Sequence, residues 1–422
     1  MKYIKKILVS IAVLILILPT LLRLNKPIPG IESYYFISQL WYLPNFVFRM
    51  LPPVFGILSA LLFYILLKSL GFKKDISSIA TLLFLISTPF IYVSNFFTPH
   101  FLFLFINLAA FYLFFRKDRY VYLFSIPLFL ATALFGVYTF VTILFLLTNM
   151  IILDKHKALS FTLSIIILVF TLTSLPINWF TPDQPYLQLL ISDFGGDIGV
   201  GISALILAFF GFLQTWKQKY KFLFVYFAII LLFVASKYLY YANIYLNIPI
   251  VVFAAIALNE LLNKKWVLKF IKQVAIIALF CTFLFSAISF MDRIVNEQPS
   301  DSIVKSLTFL RTQTNGVVFS HPDKGFWINY YSSKPVFIDR LGKNPILENI
   351  TKTLYYSRDF KNSTKLFDEH KIRYIWIDEQ MKNGQVWTKP EQGLLFLFVD
   401  KRLFTRIYNK KGIEIWEYHP EQ

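Results

Sequence analysis

Residues 49–72 read R-M-L-P-P-V-F-G-I-L-S-A-L-L-F-Y-I-L-L-K-S-L-G-F. Between Arg49 and Lys68 lie eighteen residues without a charge, about the length an α-helix needs to cross the hydrocarbon of a bilayer. Comparable apolar runs recur at roughly 4–22, 52–70, 77–95, 99–115, 120–134, 137–153, 159–178, 198–215, 222–237, 242–260 and 270–290. A soluble chain would not repeat such runs. The first 291 residues therefore read as a polytopic α-helical membrane protein with about eleven transmembrane helices. The first run follows Met-Lys-Tyr-Ile-Lys-Lys without an A-x-A cleavage signal after Pro19, so it reads as an uncleaved helix.

Charge in the gaps sets the orientation. The N-terminus and the even-numbered gaps hold eighteen Lys/Arg, against four in the odd gaps: Arg23, Lys26, Arg49 and Lys237. The positive-inside rule places the N-terminus in the cytoplasm and the C-terminal portion outside, in the cell membrane. The formal net charge of +18 does not indicate nucleic acid. The basic loops face only Asp75, Asp118, Asp154 and Glu260, so most of the surplus meets lipid headgroups of the bilayer. The single cysteine, Cys281, excludes an intrachain disulfide.

Two outside gaps are long, 23–51 and 179–197. The first begins with a Pro-rich turn. From Ser33 to Leu43 it becomes aromatic and half-apolar, as a helix lying in the interface would be. Composition breaks at 291–300, M-D-R-I-V-N-E-Q-P-S, and apolar runs beyond it shrink to strand length. Helices are expected at Ser302–Arg311, Ser363–His370 and Leu394–Asp400. Strands are expected at Val317–Ser320, Pro335–Asp339 and Ile372–Asp378, with a hairpin of Phe404–Tyr408 and Ile413–Tyr418 across N-K-K-G. The sequence thus divides into a membrane domain, 1–291, and a C-terminal extracytoplasmic α/β domain, 292–422.

No Walker loop, dinucleotide fingerprint, H-E-x-x-H or Cys/His cluster is present. Glu32 is the only acidic residue before Asp75 and follows the first span. A carboxylate among membrane-level aromatics is partly desolvated, which suits it to general-base chemistry. The bland reading is a surface loop glutamate. Arg49 opens the second span, and a guanidinium there can grip a lipid phosphate in bidentate fashion or snorkel to ordinary headgroups. Lys237 runs against the charge trend, so phosphate pairing or an interfacial aromatic belt must account for it.

Tyr241, with Tyr238, Tyr240 and Tyr245, can stack on sugar rings or belong to that belt. His100, opening the fourth span in N-F-F-T-P-H-F, can bond a substrate or simply meet water. Asp193 and Asp197 bracket S-D-F-G-G-D. They can hold a divalent cation, the one cofactor candidate, or serve as loop caps, with Asp197 capping the eighth span.

Several strings in order resemble the GT-C superfamily of integral-membrane glycosyltransferases. They are P-G-I-E-S-Y-Y, then R-M-L-P-P-V-F-G, then I-A-T-L-L-F-L-I-S-T-P-F-I and T-P-H-F-L-F-L-F-I-N-L-A-A-F-Y-L-F-F-R. That family includes protein mannosyltransferases, aminoarabinose transferases and the catalytic subunit of oligosaccharyltransferase. The resemblance implies a polyprenyl-phosphate-linked sugar donor and a glycan, lipid or protein acceptor on the outer face. It makes Glu32 the general base, with Tyr34 and Tyr35 of the same string beside it as substrate contacts.

The chain departs from the family in three places. Ile31 precedes Glu32 where many members carry a second acid, and His100 stands where several carry one. W-W-D-Y-G is absent, with G-F-W-I-N-Y-Y at 325–331 in a loosely similar place. A flippase or transporter of lipid-linked sugars, and an inactive GT-C-like scaffold, remain the rival readings.

Overall fold

The computed structural model describes residues 2–40, 42–116, 120–152, 156–173, 186–341 and 344–420. Lys117, Arg119 and Lys155 of the basic loops, and 179–185 of the second long gap, lie outside them. The helices run α1 (Lys2–Leu22), α2 (Ile31–Gln39), α3 (Asn45–Ser69), α4 (Lys74–Leu85), α5 (Thr88–Val93), α6 (His100–Phe114) and α7 (Ser125–Thr132). Next come α8 (Thr139–Ile152), α9 (Lys157–Thr173), α10 (Tyr186–Leu190), α11 (Ile202–Thr215), α12 (Lys219–Tyr238), α13 (Ala242–Asn263) and α14 (Lys269–Asn296). Then follow α15 (Asp301–Arg311), β1 (Val317–Phe319), α16 (Gly325–Ser332), α17 (Pro345–Tyr356) and α18 (Phe360–Glu369). The chain closes with β2 (Ile372–Ile377), α19 (Leu394–Leu397), β3 (Phe404–Lys410) and β4 (Ile413–Tyr418).

Two compact units result: Met1–Leu24 with Leu43–Asn296, and Asn25–Tyr42 with Glu297–Gln422. The boundary falls a few residues beyond 291, where α14 ends. The larger departure is the first loop, which sequence order groups with the membrane domain. It lies instead in the unit that holds the C-terminal portion, because Tyr34 is buried there and Tyr35 packs on Phe326.

In the first unit the described apolar runs are mainly helical; 174–178 of the seventh run lie outside the described residues, and the eighth becomes helical only at Ile202. Among the described residues, α3, α13 and the helix that opens at Lys269 are long and apolar enough to cross a membrane. The other apolar helices are shorter. The run at 77–95 is broken: α4 stops at Leu85 and α5 restarts at Thr88, with Pro89 in its first turn. Proline removes a backbone donor and disfavours helix in the residue before it. The fifth and sixth runs meet at Gly136, whose φ of 60° is the left-handed conformation that glycine adopts without strain. Leu61, Phe209, Ile230, Phe270, Ile277 and Phe285 are exposed large apolar side chains, as membrane helices present to lipid.

Polar side chains tie these helices together. Thr20 Oγ1 donates to Asn95 Oδ1 at 2.8 Å, Thr142 Oγ1 to Asn107 Oδ1 at 2.7 Å, and Asn247 Nδ2 to Ser87 Oγ at 2.8 Å. In lipid, apolar surfaces gain little by meeting one another. Close packing and such bonds, worth roughly 0.6–2 kcal/mol each, therefore carry the association. Gly211 of α11 sits against α13, where a β-carbon would overlap the Phe253 carbonyl. Gly211→Leu is expected to destabilise the bundle by ~1–3 kcal/mol, the usual cost of overpacking. A thermal-shift assay in detergent checks this, and an unchanged midpoint would refute the contact.

The second unit is built on a four-stranded sheet, order β1-β2-β4-β3, among the described residues. β1 and β2 are parallel across α16–α18. β2/β4 and β3/β4 are antiparallel, with Ile375 and Arg406 both opposite Trp416. The N-K-K-G hairpin forms as read, with positive φ at Lys411 (51°) and Gly412 (74°), the signature of a tight twisted turn. Trp376, Trp387, Phe319, Phe367, Ile375 and Leu394 are fully buried in the core.

Three local expectations are corrected. Pro335–Asp339 forms only a bridge between Val336 and Val318, because Asp339 Oδ1 accepts from Leu341 N and turns the chain away. The helix expected over Leu394–Asp400 ends at Leu397. Two further helices, α16 and α17, were not expected. The Asn344-Pro345 start of α17 is a capping signal, with Asn344 Oδ1 accepting from Ile346 N at 3.0 Å.

Candidate functional site

In the second unit, the glycine of P-G-I-E-S-Y-Y stops the chain from extending straight into helix. Gly30 has φ 86°, and its N–H donates to the Gln298 carbonyl at 3.0 Å. This bond fixes the start of α2. Glu32 falls in the first turn, where a carboxylate is favoured by the helix dipole. Its side chain is buried, 7% exposed, and so are Ser33 and Tyr34.

The helix is held by aromatics of G-F-W-I-N-Y-Y, which forms α16. Tyr34 and Tyr331 hydroxyls lie 2.7 Å apart, and the Tyr34 ring sits 5.2 Å from that of Tyr330 in an edge-on arrangement. Tyr35 packs on Phe326 with centroids 5.4 Å apart. Such ring pairs each add roughly 0.5–1.5 kcal/mol beyond their area. The two strings that the sequence set apart, nearly three hundred residues from one another (|i−j| = 297 for Tyr34 and Tyr331), are therefore partners.

A buried ion pair underlies α16. Lys324 Nζ lies 2.8 Å from Asp378 Oδ2, with the side chains 3% and 5% exposed. Lys324 also donates to Gln298 Oε1 at 3.2 Å and Gln380 Oε1 at 2.7 Å, and sits over the Trp327 ring. Gln298 thus links the ion pair to Gly30 at the start of α2. Alongside runs a polar cleft of about 580 Å³ lined by Gln298, Ser300, Glu379, Gln380, Asn383 and Gln385 among others.

In the first unit, His100 and Tyr241 come together. Their rings are 4.0 Å apart, and His100 Nδ1 is 2.9 Å from the Tyr245 hydroxyl. Tyr138 closes on the same histidine edge-on at 4.5 Å. His100 is 4% exposed, so the water-contact reading is corrected: the neighbouring helices bury it. The buried Tyr241 hydroxyl has no hydrogen-bond partner among the described residues.

Arg49, Lys237 and Asp193 each have surroundings of their own. Arg49 Nη1 donates to the carbonyls of Arg23 and Leu24, at the end of α1. Lys237 is exposed, with its ammonium 5.7 Å from the Tyr238 ring centroid. Asp193 Oδ2 accepts from Ile202 N at 2.7 Å and its Oδ1 from Ser286 Oγ at 2.8 Å. Asp193, not Asp197, thus caps α11. Asp197 accepts from Tyr240 Oη at 3.4 Å. Asp193 thus spends one oxygen on the start of α11 and the other on Ser286 of α14. No group of three His, Cys, Asp or Glu is placed for a metal among the described residues.

Sequence reasoning missed Phe326, Tyr330, Tyr331, Lys324 and Tyr138. The signal for the first three was the aromatic string itself, already noted for its place. Tyr138 and Lys324 had none.

The fold of the chain is a known one. It is similar to solved structures of the oligosaccharyltransferase of the archaeon Archaeoglobus fulgidus. The apo form matches with a TM-score of 0.63 at 14% identity, over 100% of this chain and 75% of that one. The complex with an inhibitory peptide and a dolichol-phosphate matches at 0.62 and 13%, over 100% and 74%. The form tethered to an acceptor peptide containing the NVT sequon matches at 0.54 and 14%, over 89% of this chain and 63% of that one. The chain thus spans less than two thirds of that last structure. At such identities the likeness is one of fold. No protein-family model and no curated protein matches the sequence.

Proposed function

We propose that the chain is a membrane glycosyltransferase that moves a sugar from a polyprenyl-phosphate carrier to an acceptor on the outer face, with Glu32 as general base. The observation that carries this reading is the seat of Glu32. A lone acidic residue of a short loop is buried in the first turn of a helix held by three aromatics of α16. A glutamate serving only solubility would stand on the surface.

In the proposed reaction Glu32 takes the proton of an acceptor hydroxyl. The acceptor oxygen then bonds to the anomeric carbon as the carbon–oxygen bond to the carrier phosphate breaks. The carrier leaves as polyprenyl phosphate, and the anomeric centre inverts. Arg49 and Lys237 hold the carrier phosphate, in the donor and in the departing carrier alike. Tyr34 and Tyr35 position the acceptor. No step is assigned to a metal.

The test is transfer of a labelled sugar from its polyprenyl phosphate in proteoliposomes. Lys237→Ala is expected to raise the donor KM about tenfold with kcat little changed, since a charge-assisted hydrogen bond contributes roughly 1.5–3 kcal/mol. Lys237 is exposed, so this variant carries little folding cost. Translocation of the carrier without sugar transfer would replace this reading with the flippase. An unchanged KM would remove Lys237 from the phosphate site.

A further inference from the structure

The first unit contains a cavity of about 400 Å³ that none of the chemistry above uses. It lies among α3, α6, α8, α12 and α13, and its walls are almost wholly apolar, with Phe63, Leu108, Phe145, Ala228 and Val252 among them. That volume is in the range of small-molecule sites. Two features define what it accepts.

The first is depth. From Leu104 on α6 to Phe115 just past its end the lining runs eleven steps along the chain, or about 16 Å of helical rise. This is about half of a ~30 Å hydrocarbon core, the thickness of one leaflet. Tyr245 lines the cavity and bonds His100, so the aromatic cluster stands at one end.

The second is charge at the other end. Leu70, Gly71, Phe72, Phe115 and Phe222 line it there, all beside gaps that are rich in Lys and Arg. Lys73 follows Phe72, Arg116 follows Phe115, and Lys219 opens α12 three residues before Phe222. All three cations are exposed. A polyprenyl carrier presented on the opposite side would bring its phosphate to the wrong end.

We infer that this cavity binds an acyl chain of an anionic phospholipid from the leaflet on the basic side, with the headgroup phosphate held by Lys73, Arg116 and Lys219. The apolar slot matches one leaflet of chain, and the rim supplies the countercharge. The site is separate from the proposed transfer chemistry and does not depend on it.

The experiment uses the full chain, purified in detergent, delipidated, and exchanged into nanodiscs of phosphatidylcholine with either phosphatidylglycerol or no anionic lipid. Co-purifying lipid is then counted by native mass spectrometry. Phosphatidylglycerol is expected to be retained about tenfold over phosphatidylcholine, given the attraction of several basic side chains to an anionic headgroup. Ala228→Phe, which fills the slot, is expected to abolish retention. Val252→Phe fills it from a different helix and gives the same readout if Ala228→Phe does not fold. The pair Lys73→Glu and Arg116→Glu is expected to remove the preference for phosphatidylglycerol. Full retention in a folded slot-filling variant, equal retention of both phospholipids by the unmodified chain, or displacement of phosphatidylglycerol by polyprenyl phosphate would each overturn the inference.

Discussion

Glu32→Gln is expected to lower the rate of sugar transfer by about a hundred- to ten-thousand-fold, the usual share of a positioned general base. The amide keeps the size of the side chain and removes its ability to take a proton. Three contacts that hold α2 are made by other groups and remain: the Gly30–Gln298 bond, the Tyr34–Tyr331 hydroxyl pair and the Tyr35–Phe326 packing. Expression, melting and donor binding should therefore stay near those of the unmodified protein, and the loss should fall on kcat. Single-turnover transfer with a labelled donor measures it directly. Full turnover in this variant would leave Glu32 a buried helix-start residue and nothing more.

The second large effect is expected from Lys324→Met. The ammonium it removes is the buried partner of Asp378, and a carboxylate left alone in such a place costs about 3–5 kcal/mol. In a unit of this size that corresponds to a fall of roughly 10–20 °C in the melting of the second unit. Gln298 loses its bond from Lys324, so the anchor of Gly30 should loosen too. Hydrogen exchange in the full chain should rise in α2 and α16 while the first unit keeps its protection. The double variant Lys324→Met with Asp378→Leu removes both charges and is expected to recover most of the loss. Failure of the double variant to recover would show that the cost lies in packing against Trp327 instead of in the unpaired charge.

Much of the membrane portion was legible because a bilayer is an unforgiving solvent. Unpaired backbone groups cannot remain in hydrocarbon, so an apolar run has one ready solution, and the described runs are mainly helical. The break at Gly136 was legible as the meeting of two runs, whereas the one at Pro89 falls inside the run read as 77–95. The C-terminal sheet was less so. β2 and the hairpin carry strong alternation or a turn signature. Pro335–Asp339 has the composition of a strand yet is stopped by one aspartate turn. α16 is aromatic and would suit a strand by propensity, and it is a helix because its two faces find partners in α2 and α15.

The candidate residues divide in the same way. Glu32 could be singled out because a lone acid in an apolar stretch is conspicuous in one dimension. The fate of Asp193 could not, because its two oxygens are committed by Ile202 and Ser286, the latter far along the chain. His100 looked like a wetted helix end and is instead enclosed by Tyr138, Tyr241 and Tyr245.

By itself the sequence determined that this is a helical membrane protein with a mixed α/β portion after residue 291. Hydrophobic length and charge placement are properties of neighbouring residues, and lipid and water act on them locally. Only the tertiary structure decided that the loop bearing Glu32 is packed with the distant α16 and is anchored through Gln298 to a buried Lys324–Asp378 pair. That choice depends on which aromatic faces fit and which charges can be desolvated together, and those are relations between residues hundreds apart that no local pattern encodes.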